Sequence, residues 1–335
     1  MTKLVIQIPC FNEEQHLAAA VRALPDRIEG VDCIELLVVD DGSQDRTSDA
    51  ARAAGVHHIV RHRSNRGLAS AFQTGIDLAL KLGADIIVNT DADGQYHGDD
   101  VVELVKPIIA GEADIVIGDR GVRDNLHFGF VKRQLQILGS AMVRWLSRTE
   151  ISDAVSGFRA ISREAAQNLS ITSEFSYTTD MLIQAGRKRM RILSVPVRTN
   201  AAVRPSRLFR SVPGFIVQTG ITIARTYTTY NPLRAFAGTG LLVGFIGVIP
   251  ILRFLWFYLS GTGGGHIQSL VIGGALMTLG TLFAILGVVG DLIATNRKLL
   301  EVSLVHIRQL EERIELLARP AEPGDVAATK KTIAP

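Results

Sequence analysis

Residues 84–100 read ADIIVNTDADGQYHGDD and join a strand pattern to a run of carboxylates. The first part, 84–88, is mostly apolar and ends in β-branched residues, as in a buried strand. Asp91 and Asp93 follow one residue apart, and Gln95 comes two positions later. Because crowded carboxylates repel each other unless a cation or a ligand compensates them, this stretch predicts a strand that ends in a binding site.

Short β-rich runs alternate with amphipathic stretches from residue 4 to about residue 120. Five runs are typical of strands: LVIQIP, IELLVVD, HHIVRH, ADIIVNT and ADIVIGD. Four stretches between them are typical of helices: 13–24, 46–54, 68–81 and 100–110. Further along, the pattern predicts helices at 131–147 and 177–190 and a strand at 191–199. The fold class is therefore α/β with a mostly parallel sheet, whose ligands bind at the carboxyl ends of the strands.

Polar residues occupy the ends of the predicted strands. The first strand ends in PCFNEE, the second in DDGSQD, the fourth in TDADGQ and the fifth in GDR. Each end also has a structural interpretation, since Asn12 or Asp45 can cap a helix, Asp41 suits a turn and Asp99 can cap the next helix. Four such ends on one edge of a sheet favour a shared functional site, although capping stays open for each single residue.

Asp91, Asp93 and Gln95 offer only oxygen ligands. This set suits Mg²⁺ or Mn²⁺, which keep positions for water and phosphate oxygens. A lone Asp-x-Asp is a common acidic turn, so the metal prediction depends on the polar residues at the other strand ends. His97 is close in sequence, but a histidine in a loop is more often solvated than functional.

Charge and cysteine content narrow the class of protein. The net charge of +3 is too small to indicate a nucleic-acid partner. Cys10 and Cys33 lack Cys-x-x-Cys spacing, which favours reduced thiols over a disulfide or a zinc site. The amino-terminal MTKLVIQIPC lacks the long apolar core of a signal peptide, so the catalytic part is expected in the cytoplasm.

Two long uncharged segments, 235–252 and 267–290, follow near the carboxyl end. Each can cross a ~30 Å hydrocarbon core at about 1.5 Å per residue. They predict two transmembrane helices, with a pair of buried core helices as the alternative.

Basic residues indicate the orientation of these segments. Arginines precede the first segment, Arg297 and Lys298 follow the second, and the connecting loop 260–268 contains neither Lys nor Arg. The positive-inside rule then predicts an integral inner-membrane protein with both termini and the catalytic domain in the cytoplasm. Arg253 conflicts with this rule, but its long side chain can snorkel to the interface.

The expected organisation has six parts. They are a catalytic domain at 1–205, interfacial amphipathic helices at 206–233, transmembrane helices at 234–258 and 267–294, a cytoplasmic helix at 295–318 and a disordered tail at 319–335. The helix at 295–318 has apolar residues at helical spacing, which suits a short coiled coil or a helix packed on a neighbour, and which admits a homo-oligomer.

Three motifs together resemble family 2 glycosyltransferases of the GT-A fold: IPCFNEE, VVDDGSQDRT and NTDADGQY. Enzymes of this family bind a nucleotide-sugar through a divalent metal. Later motifs resemble its polyprenyl-phosphate branch, which includes dolichol-phosphate mannose synthase and bacterial undecaprenyl-phosphate glucosyltransferases: GDR at 118–120, KR at 132–133, DAVSGFRA at 153–160 and VPVRTN followed by RPSRLF. The resemblance covers about residues 3–230, and the two-span tail is similar to that of bacterial members.

The resemblance implies a role for each motif residue. It assigns the nucleotide pocket to residues at the first two strand ends: Pro9, Phe11, Glu13, Asp40 and Asp41. Asp91 would lie toward the ribose and the metal, while Asp93 and Gln95 would hold the cation against the donor diphosphate. Phosphate contacts fall to four arginines: Arg120, Arg133, Arg204 and Arg207. Among these, Arg133 would meet the lipid phosphate.

Two departures from the branch concern the acceptor. Gln136 and Ile137 stand where dolichol enzymes carry a serine, and Arg-Pro-Ser-Arg at 204–207 replaces Gly-x-Ser-Lys. The implied reaction is an inverting transfer of sugar from a nucleotide-sugar to polyprenyl phosphate at the cytoplasmic face of the membrane. A UDP-sugar is the favoured donor and GDP-mannose is the alternative donor. Two alternatives are a processive polysaccharide synthase, for which two spans are few, and a non-catalytic membrane adaptor.

Overall fold

The computed structural model describes residues 1–121, 144, 151, 153–171, 177–200, 224–225, 227–229, 231–261 and 265–318. The chain divides into two compact units, Met1–Val212 with Val305–Pro335, and Pro213–Leu304. Several predictions lie outside the described residues: Arg133, Arg204 and Arg207 among the site residues, nearly all of the helix at 131–147, most of the segment 206–233 and the tail at 319–335.

The first unit alternates strands and helices. Its strands are β1 (Lys3–Cys10), β2 (Cys33–Asp40), β3 (His58–Arg61), β4 (Ile86–Asn89), β5 (Ile115–Asp119), β6 (Arg159–Ser162) and β7 (Ile192–Pro196). Its helices are α1 (Leu17–Arg22), α2 (Thr47–Ala53), α3 (Leu68–Lys81), α4 (Val101–Ile109), α5 (Arg163–Asn168) and α6 (Tyr177–Arg187).

The seven strands form one sheet in the order β3-β2-β1-β4-β6-β5-β7. Pairing is parallel within β3-β2-β1-β4 and between β5 and β7. Strand β6 is antiparallel to both of its neighbours. The predicted α/β fold with a mostly parallel sheet is confirmed, and the antiparallel β6 is an element that the sequence pattern did not predict.

Strand β1 lies in the middle of the core. Val5 packs on one face in the cluster that contains Phe72 of α3, while Leu4 packs on the other face in the cluster that contains Leu104 of α4. All of these side chains are fully buried, and each stabilises the fold by about 1.5–3 kcal/mol. Because helices cover both faces, β1 is apolar along nearly its whole length rather than alternating.

Helix α3 begins and ends at the predicted residues, whereas α1 is shorter than the predicted 13–24. The backbone at Asn12 has φ of 55°. The N–H of Glu13 donates to Thr47 Oγ1 at 2.9 Å, so this part of the chain bonds to the start of α2 instead of starting a helix. Tertiary hydrogen bonds here override the local helical pattern.

The second unit contains α7 (Pro232–Leu259) and the first part of α8 (Ile267–Ala318). Two helices, Pro232–Leu259 and Ile267–Arg297, are long and apolar enough to cross a membrane. Helix α8 continues without a break through the predicted boundary at residue 294.

Glycines let the backbones of α7 and α8 approach closely. A Cβ on Gly280 would lie 2.6 Å from the carbonyl oxygen of Gly240, and a Cβ on Gly247 would lie 3.0 Å from that of Gly273. Small residues at such contacts are the usual means of packing apolar helices in lipid, where the hydrophobic effect does not favour association.

We expect Gly280→Val to lower the melting temperature of the detergent-solubilised protein, because the added methyl groups cannot fit beside Gly240. The packing cost should be about 1–3 kcal/mol. Gly274→Val is the matched control, since no atom lies within 4 Å of a Cβ at Gly274. Equal melting temperatures for the two variants, measured by thermal unfolding in detergent, would contradict this packing.

Candidate active site

The sheet brings distant segments to one edge. Cys10 pairs with Asp40 at the carboxyl ends of β1 and β2, and Asn89 at the end of β4 pairs with Arg159 at the start of β6. Since β6 runs antiparallel, its amino end lies at the same edge as the carboxyl ends of β1, β2 and β4. The loop 153–158 therefore reaches this edge together with the Asp-x-Asp segment.

The loops after β1 and β2 are bonded to each other. The N–H of Asn12 donates to Ser43 Oγ at 2.9 Å, and the N–H of Gln44 donates to Asn12 Oδ1 at 2.8 Å. Asn12 thus bonds across to a neighbouring loop instead of capping its own helix. The reciprocal pair fixes the backbone on either side of the predicted nucleotide pocket.

Asp40 is buried, and its carboxylate organises its own loop. It accepts a hydrogen bond from the N–H of Ser43 at 2.8 Å and another from the hydroxyl of Ser48. Arg61, which is half exposed, places Nε 3.6 Å from Asp40 Oδ2. Asp40 therefore lies at the edge with a cationic side chain beside it.

Asp41 is also buried and holds the loop before α3. It accepts hydrogen bonds from His62 Nδ1 at 2.7 Å, from the N–H of Arg66 at 2.9 Å and from the N–H of Gly67 at 2.8 Å. These bonds occupy both carboxylate oxygens. Within the described chain, Asp41 orders the loop that follows β3.

Asp91 lies in an unusual electrostatic environment. Burial raises the pKa of Asp91 to about 7, and the negative charges of Asp93 and Glu13 act in the same direction, while Arg120 and Arg159 oppose them. No hydrogen bond joins the Asp91 carboxylate to another described residue. This acid is therefore held in a partly buried position without a compensating donor.

The pKa of the Cys10 thiol is affected by the same group of acids. Burial raises the pKa of Cys10 well above its ordinary value, and the charges of Glu13, Asp40 and Asp91 raise it further. Acids from three predicted strand ends, up to 78 positions apart, thus raise the pKa of one thiol. The structure brings together the acids that the sequence placed on one edge.

The segment Asp93–Gln95 forms a tight turn. The N–H of Gln95 donates to Asp93 Oδ1 at 3.0 Å, and Gly94 has φ of 69°, a conformation that favours glycine. Asn200 bonds to this turn at two points, with its N–H on the Gln95 carbonyl at 2.9 Å and its Nδ2 on the Gly94 carbonyl at 2.9 Å. The turn is fixed from outside by a segment that follows β7.

Asp99 and Asp100 differ from the acids of the turn. Arg198 donates to the Asp100 carboxylate through its N–H at 2.6 Å, its Nε at 2.9 Å and its Nη2 at 2.6 Å. Asp99 is exposed. Asp100 is therefore compensated by an arginine, and the two acids belong to the start of α4 rather than to the site.

The motif at 153–160 contributes Asp153, Gly157 and Arg159, to which the sequence assigned no individual role. Arg120 donates to Asp153 through Nε at 2.6 Å and Nη2 at 2.9 Å, and both side chains are buried. Arg159 is fully buried and donates to the carbonyls of Ala154, Ser156 and Thr178 at 2.7–2.9 Å. Two cations thus fix the loop 153–158 against the end of β5 and the start of α6.

Gly157 of this loop lies against Asp91. A Cβ on Gly157 would lie 3.1 Å from Asp91 Oδ2 and 3.0 Å from the hydroxyl of Tyr177. Its carbonyl accepts a hydrogen bond from Asn89 Nδ2 at 2.8 Å, and its N–H donates to the hydroxyl of Tyr96 at 3.2 Å. A side chain at this position would force these groups to shift by a few tenths of an ångström. Gly157 belongs to the site because of its contacts with residues far away in sequence. The local sequence pattern does not predict these contacts.

The oxygen ligands present suit a divalent cation. Among the described residues, no three His, Cys, Asp or Glu side chains form a ready metal-binding group. Asp91 and Asp93 are nonetheless adjacent, mutually repelling carboxylates, with Gln95 beside them, and all three offer the hard oxygens that Mg²⁺ and Mn²⁺ prefer. The predicted set fits such an ion together with water and phosphate oxygens.

A seven-stranded mixed sheet, with an Asp-x-Asp turn just beyond the carboxyl end of β4, is the arrangement expected of the GT-A class of glycosyltransferases. The family model for glycosyl transferase family 2 matches residues 5–170. The chain belongs to this family, as the motifs predicted.

Similar sequences include named polyprenyl-phosphate glycosyltransferases. An uncharacterized protein of Methanocaldococcus jannaschii is 34% identical over 59% of this chain and 81% of its own length. The UDP-N-acetylglucosamine–dolichyl-phosphate N-acetylglucosaminyltransferase of Methanococcus voltae is 28% identical over 57% and 83%. The polyprenol monophosphomannose synthase of Mycolicibacterium smegmatis is 27% identical over 58% and 76%. The resemblance to the polyprenyl-phosphate branch is confirmed.

A solved structure shares the fold. Glucosyl-3-phosphoglycerate synthase from Mycobacterium tuberculosis, in complex with Mn²⁺, uridine diphosphate and phosphoglyceric acid, superimposes with a TM-score of 0.53 at 22% identity. The match covers 68% of this chain and 78% of that protein. The predicted GT-A fold is confirmed by this likeness, which at such an identity speaks to the fold alone.

Proposed function

We propose that this glycosyltransferase moves a sugar from a nucleotide-sugar to polyprenyl phosphate at the cytoplasmic face of the inner membrane. The catalytic domain would comprise residues 1–205, with interfacial helices at 206–233 and spans at 234–258 and 267–294. The helix at 295–318 and the tail at 319–335 would remain in the cytoplasm. The orientation is supported by basic residues on one side of the two apolar helices.

The strongest support for the proposal is the environment of the Asp91 carboxylate. This carboxylate is partly buried, has no hydrogen-bond donor among the described residues and lies beside Asp93 and Glu13. Such a group becomes stable when a cation or a hydroxyl-bearing ligand reaches it. A nucleotide-sugar with its divalent ion supplies both.

Asp93, Gln95 and Asp91 would hold the Mg²⁺ or Mn²⁺. When bound, the ion supplies positive charge at the donor diphosphate, which becomes the leaving group. The neighbour in the GT-A class was crystallised with Mn²⁺, but for this chain the cation is inferred from its own oxygen ligands. Transfer rates with Mg²⁺ and with Mn²⁺ decide which of the two ions serves.

The nucleotide would lie beside the first two strand ends, against Pro9, Phe11, Glu13 and Asp40. Asp41 would contribute by ordering the loop before α3, because that loop's N–H groups occupy both of its oxygens. A UDP-sugar is favoured because one relative is named for a UDP-sugar donor, while a mannose-transferring relative keeps GDP-mannose open.

The acceptor would be a phosphate monoester on a lipid. Its second pKa is near 6, so at neutral pH most of it is dianionic and already nucleophilic. One phosphate oxygen attacks the anomeric carbon and forms the new C–O bond, while the bond to the nucleoside diphosphate breaks and inverts the centre. No proton has to be removed from the acceptor, so the reaction needs no strong general base.

Arginines would hold the two anions together. Arg120 is buried beside Asp91, although its guanidinium also pairs with Asp153, so its contact with a phosphate stays a prediction. Arg133, Arg204 and Arg207 are proposed as further phosphate ligands, with Arg133 on the lipid phosphate. Guanidinium groups suit this task because they present several donors in one plane.

The direct test uses the full chain in lipid nanodiscs with undecaprenyl phosphate. A panel of UDP- and GDP-sugars is supplied with Mg²⁺, Mn²⁺ or a chelator, and the lipid product is analysed by mass spectrometry. We expect one sugar on one lipid phosphate, formed only with a divalent ion. Products carrying many sugars would favour a processive synthase, and no turnover with any donor would refute the proposal.

Arg133→Ala should lower kcat/KM for polyprenyl phosphate by about 10–100-fold, the expected cost of losing a charged hydrogen bond. Binding of the nucleotide-sugar, measured by calorimetry without acceptor, should be nearly unchanged. Lys132→Ala is the control because it removes the neighbouring positive charge. An equal loss of donor and acceptor binding in Arg133→Ala would rule out a specific role at the lipid phosphate.

A further inference from the structure

The position of Asp91 is set by packing rather than by hydrogen bonds. In the described part of the chain no donor reaches its carboxylate, and both of its oxygens lie close to Gly157, at 3.1 and 3.2 Å from where a Cβ would stand. A carboxylate that rests on a glycine moves whenever that glycine moves. Whatever fixes Gly157 therefore fixes Asp91.

Two tyrosines and one asparagine contact the backbone of Gly157. Two of them lie at its carbonyl and one at its N–H. The Gly157 carbonyl has a good partner in Asn89 Nδ2 at 2.8 Å, and the Tyr177 hydroxyl lies farther from it, at 3.5 Å. On the other side, the Gly157 N–H donates to the Tyr96 hydroxyl at 3.2 Å. The carbonyl side is thus doubly supported, whereas Tyr96 supports the N–H side.

Tyr96 is itself rigidly placed. Its ring stacks on Phe158 with centroids 4.8 Å apart, and its backbone forms an isolated β-bridge with Thr199. The side chain is buried, and burial raises the pKa of Tyr96 to about 12, so its hydroxyl stays protonated in the cell. Tyr96 also follows Gln95 directly in sequence.

We propose that Tyr96 is a positioning residue for the metal site, acting on Asp91 through the N–H of Gly157. One residue then connects the two parts of the site: its backbone ends the turn that carries Asp93 and Gln95, and its hydroxyl holds the glycine behind Asp91. Groups that orient metal ligands in this way typically change metal affinity by about 10–100-fold when removed.

The test compares Tyr96→Phe with Tyr177→Phe. Both changes remove one buried hydroxyl that faces Gly157, and both keep a ring that stacks on a phenylalanine, Phe158 or Phe72. Mn²⁺ binding in the presence of UDP is followed by the electron paramagnetic resonance signal of free Mn²⁺, which needs no turnover. Thermal unfolding of each variant is measured in the same detergent.

We expect Tyr96→Phe to weaken Mn²⁺ binding by about tenfold, and Tyr177→Phe to change it by less than about threefold, since Asn89 still holds the Gly157 carbonyl. Melting temperatures should be similar for the two variants. Equal Mn²⁺ affinities would overturn the proposal. A Tyr96→Phe chain that fails to fold while Tyr177→Phe folds would also overturn it, because the hydroxyl would then serve the fold alone.

This inference rests on the proposed function, and the same experiment separates the two. A wild-type protein that binds no Mn²⁺ with UDP refutes the metal part of the proposed function. A wild-type protein that binds Mn²⁺, together with a Tyr96→Phe variant that binds it equally well, refutes only the role of Tyr96.

Discussion

Asp93→Ala should abolish sugar transfer, with a fall in kcat/KM of about a thousandfold or more. If Asp93 holds the cation as proposed, its loss removes several kcal/mol of stabilisation from the departing diphosphate, and each 1.4 kcal/mol corresponds to about a tenfold change in rate. Binding of Mn²⁺ in the presence of UDP should weaken in parallel. Initial rates with saturating polyprenyl phosphate and varied nucleotide-sugar give the first quantity.

Asp99→Ala is the matched control for this change. Asp99 is an exposed acid six positions from Asp93, outside the turn, and it lies at the start of α4. Its removal changes the local charge equally but should leave the rate within about twofold of wild type, as is usual for surface substitutions. Near-normal activity in Asp93→Ala would reject the metal assignment, and equal losses in the two variants would indicate a general charge effect instead.

Gly157→Ala should lower kcat/KM by about tenfold while the protein still folds. The new methyl group would lie about 3 Å from Asp91 and from the Tyr177 hydroxyl, so the carboxylate has to shift. The required shift is a few tenths of an ångström, and since a 1 Å misplacement of a positioned group can cost about 10²-fold in rate, a loss of about tenfold is expected. Transfer kinetics and the melting temperature, measured together, separate this effect from unfolding.

Gly118→Ala offers an equally crowded control in which no carboxylate is among the atoms nearest to the added methyl group. A Cβ there would lie 3.0 Å from the methyl groups of Val197 and 3.2 Å from Phe158. We expect a lower melting temperature with kcat/KM reduced less than about threefold. If Gly118→Ala lost as much activity as Gly157→Ala, crowding in the core would explain both results and the contact with Asp91 would not.

The spacing of apolar residues along the chain predicted the helices and strands whose formation depends mainly on residues close in sequence. Helix α3 begins at Leu68 and ends at Lys81 as expected, because one apolar face packs on the sheet and a turn residue stands at each end. The apolar runs in the sequence also predicted strands β1, β2 and β4. Their polar ends fall on one edge because parallel strands require it, so the acid-rich half of the site could be predicted from the sequence.

The other half of the site depends on contacts between distant residues. Strand β6 has only four residues and follows a loop of mixed composition, so no periodic pattern marks it. Asn89 reaches Gly157 across 68 positions, and Arg120 reaches Asp153 across 33. Spacing along the chain carries no signal for such bonds. The family resemblance pointed to residues 153–160 as a motif without indicating what they hold.

Some acids had two interpretations that only three-dimensional contacts could separate. Asp41 was placed in the nucleotide pocket by resemblance, and as a turn residue by local chemistry; the structure shows its oxygens on the loop before α3. Asp100 has the same residue type and a similar neighbourhood to Asp93, but Arg198 compensates it. The partner, rather than the residue, distinguishes a structural acid from a functional one.

The antiparallel insertion of β6 constrains how the chain can fold during its synthesis. Strand β4 ends at Asn89, but its neighbour on that side begins at Arg159, seventy residues later. At about 5–20 residues per second, the ribosome needs roughly 4–14 s to make that interval. Throughout this time the strands β3, β2, β1 and β4 lack strand β6, which pairs with β4. The loop 153–158 cannot be held beside Asp91 until β6, which ends at Ser162, has been synthesised.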